Sequence, residues 1–118
     1  EAREESSQPT SPLGEIAKAK GVEFAVVVRS SGSPKFDSHA AENPERAAAW
    51  IESTMSRFRA LGESLQAGPL TQFDSVGPQN HLVISPTKSG DLCVGFGRSL
   101  SNDMVQETMK SILAKWVS

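Results

Sequence analysis

Residues 22–29 read VEFAVVVR, from Val22 to Arg29, and this stretch decides the fold. Its β-branched and aromatic residues favour extended backbone. A strand exposed on one face alternates apolar and polar residues, whereas a near-continuous apolar run is typical of a strand covered on both faces. We therefore predict that this segment lies inside a sheet, with other elements packed on each side of it.

The segments before and after this strand predict a short helix and a second strand. Before it, Ser11 and Pro12 suit the N-cap and the first position of a helix, and Gly21 suits its end. After it, residues 35–39 predict a second strand. We place that strand at an edge of the sheet, because Pro34 has no backbone N–H to donate to a neighbour.

A long helix is predicted from Asn43 to about Gln66. Asn43 is a good N-cap residue, Pro44 suits the first helical position, and Glu45 lies near the positive end of the helix dipole. The Gly-Pro pair at 68–69 ends the helix. Apolar residues recur at helical spacing along one wide face. This face comprises Ala47, Ile51, Thr54, Met55, Phe58, Leu61 and Leu65, with Trp50 at its margin.

The remaining chain predicts three short strands and a last helix. The strands cover residues 70–76, 81–85 and 91–97, and the short polar turns between them are typical of an antiparallel meander. Asn102 is suited to cap the last helix. The apolar stripe of that helix comprises Val105, Met109, Ile112, Leu113 and Trp116.

The order of these elements predicts an α+β fold. One five-stranded antiparallel sheet with a long helix and terminal helices packed on it would bury the apolar faces. The first strand is the most apolar, so it belongs in the interior of the sheet. The resulting strand order is 2-1-5-4-3, with strands 2 and 3 at the edges.

Length and composition limit the class of protein. The chain has 118 residues, of which 37% are hydrophobic and 22% charged, and its net charge is -2. These values are typical of one globular domain, and the charge gives no general attraction to nucleic acid or to anionic lipid. No apolar stretch is long enough to insert directly into a membrane. Residues 1–11 predict a flexible tail or linker, and residues 12–118 a single domain.

No group of residues in the sequence predicts an active site. Cys93 has no second cysteine to pair with, and His39 and His81 lack the carboxylate cluster that a metal site would need. The run GFG at 95–97 lacks the third glycine of a dinucleotide-binding loop. These glycines are expected to allow a bulge or a close approach of the backbone. We therefore predict a protein that is not an enzyme and that binds no cofactor or metal.

Four segments of the chain together carry a resemblance to a known family. They are GVEFAVVV at 21–28 with the glycine turn that follows, the long amphipathic helix, HLVIS at 81–85, and the turn KSGD at 88–91 leading into LCVGFG. In element order and pattern, about residues 12–117 resemble the roadblock family of dynein light chains and small-GTPase regulators. Profilin-like and sensory ligand-binding domains share parts of this arrangement.

The resemblance implies a homodimer, or a heterodimer with a roadblock-like paralogue. In that family two long helices lie side by side, and the third strands of the two copies pair edge to edge. Members bind Ras-like GTPases, serve as subunits of regulatory complexes, or adapt cargo to a motor, and several have no catalytic residue of their own.

The residues themselves give some support to pairing. Small side chains recur within an arc of about 80° on the helix face opposite the apolar one, which would let two helices approach closely. The alternative is that they only cover a solvated face. The third strand is an edge that pairing would protect. The predicted interface comprises Ala49, Ser53, Ser56, Arg57, Ala60, Ser64, Leu70, Gln72, Phe73 and Asp74.

These inferences lead to one predicted function and two alternatives. We predict a cytoplasmic, non-catalytic dimeric module that binds or regulates a Ras-like small GTPase, or scaffolds its regulatory complex. The first alternative is a motor-adaptor light chain of the dynein type, which would recognise a short peptide. The second is a small-ligand sensor domain with an apolar pocket. No nucleic-acid partner is expected in any of the three.

Overall fold

The computed structural model describes residues 12–29, 36–78, 80–88 and 90–116. Within these ranges the helices are α1 (Pro12–Ala17), α2 (Pro44–Ser64) and α3 (Asn102–Lys115). The strands are β1 (Val22–Arg29), β2 (Phe36–His39), β3 (Phe73–Val76), β4 (Asn80–Pro86) and β5 (Gly90–Gly97). The predicted tail at residues 1–11 lies outside the described residues.

The five strands form one antiparallel sheet in the order β2-β1-β5-β4-β3, which confirms the predicted topology. β1 lies inside the sheet between β2 and β5, and its residues 25–28 are all buried. β3 pairs with β4 only from Phe73 to Val76, so this edge strand is shorter than the predicted 70–76.

Helices cover both faces of the sheet and divide the core in two. On one face, α1 and α3 pack against β1, β4 and β5. This half of the core comprises Leu13, Ile16, Ala25, Val27, Val83, Leu92, Val94, Phe96, Val105, Met109 and Ile112. Of the helices in the described ranges, α2 packs on the other face. The second half comprises Val26, Val28, Ala48, Ile51, Met55, Ile84 and Cys93. The continuous apolar run in β1 therefore serves two separate packing surfaces.

The long helix begins as predicted, but its buried face is narrower than the sequence indicated. The Asn43 side chain accepts a hydrogen bond from the backbone N–H of Arg46 at 3.3 Å. Three residues, Ala48, Ile51 and Met55, are buried against the sheet. The exposed fractions of the other large apolar side chains are 42% for Trp50, 41% for Phe58, 49% for Leu61 and 67% for Leu65. Because β3 is so short, the sheet does not extend far enough to cover this side of the helix.

The cap of the last helix differs from the prediction by one residue. The Ser101 hydroxyl accepts a hydrogen bond from the backbone N–H of Met104 at 3.3 Å, so Ser101 is the N-cap and Asn102 is the first helical residue. Both residue types are good caps, and the sequence alone did not separate them. The Asn102 side chain instead accepts a hydrogen bond from Gln106 at 3.4 Å.

The glycines of β5 do allow a close approach, as predicted. A Cβ atom added to Gly95 would lie 2.3 Å from Cε2 of Phe24, whose ring crosses the strand at this point. The pairing of β1 with β5 is irregular between Val22 and Phe24, opposite Gly95 and Phe96. The bulge and the missing side chain together make room for the Phe24 ring.

Candidate protein-interaction surface

The β3 edge is the first component of the candidate surface. In the described part of the chain, β3 pairs with β4 on one side and with no strand on the other. Phe73 and Ser75 are half-buried, whereas Asp74 and Val76 are exposed. An open edge presents backbone donors and acceptors to any strand that reaches it. It is therefore a pairing site unless something covers it.

Exposed aromatic side chains lie directly beside this edge. The Phe73 ring packs on Phe58, with centroids 4.9 Å apart and planes at 50°, and on Trp50, with centroids 6.3 Å apart and planes at 65°. Leu61 lies one turn along α2 from Phe58 and is about half exposed. We call the aromatic residues Trp50, Phe58 and Phe73, together with the neighbouring Leu61, the aromatic flank. A cluster of large exposed apolar side chains commonly marks an interaction site.

A polar cluster occupies the opposite face of the same edge. The Asp74 carboxylate accepts hydrogen bonds from Nε2 of Gln72 and Nε2 of Gln106, each at 2.7 Å, and lies 3.1 Å from Nε2 of His81. Gln72 Nε2 is also 2.9 Å from Oε1 of Gln106. These contacts join β3 to β4 and α3 and hold the Asp74 side chain in place.

His81 is more enclosed than the sequence indicated. The sequence predicted no partner for His81, but the residue is only 3% exposed and Asp74 supplies its polar partner. No motif in the sequence pointed to this pair, because the two residues meet only when the β3–β4 hairpin forms.

The structure brings part of the predicted interface together. Gln72, Phe73 and Asp74 lie side by side at the β3 edge, and Leu70 packs partly against the α2 half of the core. On α2, every predicted position is exposed: Ala49, Ser53, Ser56, Arg57, Ala60 and Ser64.

The small residues of α2 divide between two flanks of the helix. Ser56 and Ala60 line a cavity of about 490 Å³ together with Val28 and Asp91, on the flank of the helix away from β3. At about 100° per residue, Ser53, Arg57 and Ser64 lie closer to Trp50 and Leu61. Sequence reasoning assigned Trp50 and Leu61 to the apolar core face or its margin. The sequence did carry one sign that these two residues are exposed. The apolar face of the helix is wider than one sheet can cover.

An ion pair lines the cavity on the far flank of α2. The two terminal guanidinium nitrogens of Arg59 donate to the Asp91 carboxylate, Nη2 at 2.6 Å and Nη1 at 3.2 Å. The hydrogen bond to Asp91 raises the pKa of Arg59 above its ordinary value, although partial burial opposes the shift. The pair joins the second half of α2 to the start of β5.

Cys93 is placed where its thiol is a poor nucleophile. Burial raises the pKa of the Cys93 thiol to about 12, so it stays protonated at neutral pH. Among the described residues, no three His, Cys, Asp or Glu side chains are grouped so that they could hold a metal ion. Over the same residues, no helix combines the length and the apolar character needed to span a bilayer.

Comparison with known proteins identifies the fold. The sequence matches no protein-family model, and it matches no curated protein. Solved structures do match. Myxococcus xanthus MglB gives a TM-score of 0.74 at 14% identity, covering 95% of this chain and 86% of that one. A Roadblock/LC7 domain from Streptomyces avermitilis gives 0.73 at 17% identity, covering 92% and 93%. A gliding protein, MglB of Thermus thermophilus, gives 0.66 at 16% identity, covering 86% and 79%.

The class defined by this sheet order and helix arrangement is therefore the roadblock-like α+β domain. The chain has a roadblock-like fold, similar to the fold of the two MglB proteins and of the Streptomyces domain. At these identities the likeness concerns the fold. The function has to be argued from the surface just described.

Proposed function

We propose that this chain is a non-catalytic, dimeric interaction module that binds or regulates a Ras-like small GTPase. The observation that carries the proposal is the open β3 edge with the aromatic flank beside it. A second copy that pairs along β3 would extend the sheet and cover both features at once. The proposed assembly is a homodimer, and a roadblock-like paralogue is the other partner that would fit the same edge.

Pairing of the two copies along β3 determines which side of each α2 helix contacts the α2 helix of the other copy. The two helices would lie on the same face of the extended sheet, and each would turn its β3 side towards the other. The aromatic flank then forms the helix contact, bordered by Ser53, Arg57 and Ser64. The other predicted small residues, Ala49, Ser56 and Ala60, face away from the sheet or towards its far side, where a GTPase could reach them.

The non-catalytic part of the proposal is supported by the two groups with the most useful chemistry. The Cys93 thiol is buried and protonated, so it is a poor nucleophile. His81 is almost fully buried, and its Nε2 atom is engaged by Asp74. Cys93 lines an apolar groove under the start of α2, but its thiol stays protonated there at neutral pH.

The oligomeric state tests the first half of the proposal. Light scattering on the purified chain should give twice the protomer mass of 12.6 kDa. Leu61→Glu would place a charge in the helix contact, and the variant should be monomeric with an unchanged circular dichroism spectrum. Ala60→Glu is the matched control on the outward face and should remain dimeric.

Two results would contradict this arrangement. A wild-type chain that stays monomeric at micromolar concentration removes the dimer. If Ala60→Glu dissociates the dimer and Leu61→Glu does not, the small-residue face is the helix contact, as first predicted from the sequence.

Direct binding tests the second half of the proposal. The immobilised wild-type dimer should retain a purified Ras-like GTPase in one of its two nucleotide states, loaded with GDP or with a GTP analogue. The Leu61→Glu monomer should bind it more weakly if both copies contribute. Failure with a broad panel of such GTPases, together with binding of a dynein intermediate-chain peptide, would favour the motor-adaptor function instead.

A small-ligand sensor remains the second candidate because one observation favours it. An open apolar groove of about 300 Å³ lies under the start of α2, lined by Phe24, Trp50, Leu82 and Cys93 among others. A sensor would be stabilised by a small apolar metabolite and would melt at a higher temperature in its presence. The interaction module proposed here predicts no such shift across a metabolite panel.

A further inference from the structure

The β3–β4 hairpin fixes the direction of every backbone group on the open edge. The backbone N–H of Gly77 donates to the carbonyl of Asn80 at 2.9 Å, so these two residues form a hydrogen-bonded pair that closes the hairpin. In an antiparallel ladder, hydrogen-bonded and non-hydrogen-bonded pairs alternate. The phase of the whole β3 strand follows from this one bond.

Counting back from the turn gives the groups that face outward. Phe73 and Ser75 direct their N–H and C=O groups towards β4, in register with Ile84 and Leu82. Gln72, Asp74 and Val76 therefore direct theirs away from β4. Any strand added to this edge must form its hydrogen-bonded pairs with these three residues.

Two-fold symmetry limits the registers of a second copy, and we compare the three whose axis lies nearest Asp74, the middle one of the three outward-facing residues. In an isologous contact, residue i faces residue j and j faces i, so the two numbers have a constant sum. Residues directly opposite each other in a sheet point to the same face, so this sum must be even. In the three registers compared, the symmetry axis passes through Phe73, Asp74 or Ser75, and we name the registers after these residues.

The Asp74 register is disfavoured by charge. It places the two Asp74 carboxylates directly opposite each other, where like charges destabilise a sheet. The carboxylate cannot simply turn away, because Gln72 and Gln106 hold it on the α3 face by hydrogen bonds. This register also sets each Phe73 against Ser75 of the partner subunit rather than against another aromatic ring.

The Ser75 register separates the aromatic side chains. It offsets the two copies of Phe73 by four residues, about 13 Å along the strand. It also places each Asp74 opposite Val76 of the partner subunit. The carboxylate would then face an apolar side chain, and Val76, which is 60% exposed in the single chain, would gain no apolar partner there. Most of the aromatic flank would then stay in contact with water.

The Phe73 register avoids both problems, although it pairs residues 74–76 with residues 70–72 of the partner subunit, which precede β3. It pairs Phe73 with the partner's Phe73 at a non-hydrogen-bonded position, where side chains approach most closely. The two aromatic flanks meet across the axis on the α2 face. On the α3 face, the amide of Gln72 lies opposite the carboxylate of the partner's Asp74, a complementary donor and acceptor.

We propose that a second copy of this chain pairs with the β3 edge in the Phe73 register, and that Asp74 excludes the register one step away. This inference rests on the dimer proposed above and adds its geometry. Phe73 supplies the central contact of the interface, and Asp74 acts as the residue that selects the register.

Disulfide cross-linking can read the register while Phe73 and Asp74 stay intact. Directly opposite residues have Cα atoms about 4.5 to 5.5 Å apart, within the range of a disulfide. A mixture of Thr71→Cys and Ser75→Cys chains reports the Phe73 register. A mixture of Gln72→Cys and Val76→Cys reports the Asp74 register, and Ser75→Cys alone reports the Ser75 register. One chain of each mixture carries an isotope label, so that mass spectrometry separates the possible disulfides.

The three reporters give distinguishable outcomes after mild oxidation. The Thr71–Ser75 disulfide should account for most of the covalent dimer, with the other two pairs at the background of the wild-type chain, whose Cys93 is buried. A dominant Gln72–Val76 or Ser75–Ser75 disulfide would overturn the proposed register. So would a dimer, seen by light scattering, that forms none of these disulfides. A monomer by light scattering would overturn the proposed dimer itself.

A charge-neutral variant tests the part assigned to Asp74. In an Asp74→Asn background, the Gln72–Val76 disulfide should increase several-fold because the repulsion between the two carboxylates is gone. The matched control is Asp103→Asn, an exposed carboxylate in the first turn of α3, which should leave the disulfide ratio unchanged. An unchanged ratio in the Asp74→Asn background would show that Asp74 does not select the register.

Discussion

At the scale of single residues, the Phe24 ring and Gly95 make a close contact within the sheet. Gly95→Ala would add a Cβ atom 2.3 Å from the Phe24 ring. We expect it to lower the free energy of unfolding by about 1–3 kcal/mol, the usual cost of overpacking. In a Phe24→Ala background the same change should cost much less. Urea denaturation of the four chains in this cycle measures the difference.

Gly77→Ala is the control for that cycle. A Cβ atom at Gly77 would lie 3.6 Å from the carbonyl oxygen of Asn80, an ordinary contact distance. We expect a change within about 0.5 kcal/mol. Equal losses at Gly77 and Gly95 would mean that the effect comes from losing a glycine in general and not from the ring.

Cys93 should make the stability depend on pH in the alkaline range. Its pKa is raised to about 12 by burial, whereas an unfolded chain releases the thiol proton near pH 8.5. Below that pH both states hold the proton. Above it only the unfolded state releases the proton, so the stability of the folded state falls as the pH rises. Between pH 7 and pH 9.5 this group should cost about 1.4 kcal/mol.

The variant Cys93→Ala isolates this effect from the other groups that titrate at high pH. At pH 7 the wild-type chain should be the more stable of the two, because alanine leaves a small cavity. By pH 9.5 its advantage should shrink by about 1.4 kcal/mol in urea denaturation. Parallel pH profiles for the two chains would contradict the raised pKa.

At the scale of elements, one ion pair connects α2 to the sheet from the flank opposite β3. Arg59 and Asp91 have side chains that are 46% and 13% exposed, so solvent screens the pair in part. In a double-mutant cycle of Arg59→Gln and Asp91→Asn, we expect a coupling energy of about 0.5–1 kcal/mol at low salt. It should decrease in 1 M sodium chloride. A coupling of zero at low salt would mean that the contact does not stabilise the docking of α2.

The same helix shows what its sequence could and could not predict. Asn43, Pro44 and the apolar period placed its start and its buried side correctly, because capping and burial depend on local sequence. The apolar periodicity indicates only that the apolar residues lie on the same side of the helix. It does not distinguish Met55, which meets the sheet, from Leu61, which extends beyond it. That distinction depends on the length of β3, which forms elsewhere in the chain.

The strand order was predictable at the scale of the whole molecule because burial determined it. The continuous apolar run of β1 requires cover on both faces, and the meander of the last three strands leaves few arrangements that supply it. The candidate site was less predictable. Asp74, His81 and Gln106 come together only in the folded chain, and the sequence of α2 showed no sign that its small residues divide between two flanks of the helix.

The proposed dimer predicts that thermal stability depends on protein concentration. When a dimer unfolds into two separate chains, a higher concentration favours the folded state. Raising the concentration 100-fold should raise the melting temperature by about 5 °C for two chains of this size. The Leu61→Glu variant should show no such dependence, because it unfolds from a monomer. If the wild-type chain melts at the same temperature at both concentrations, its fold does not draw stability from a partner, and the aromatic flank must have another occupant.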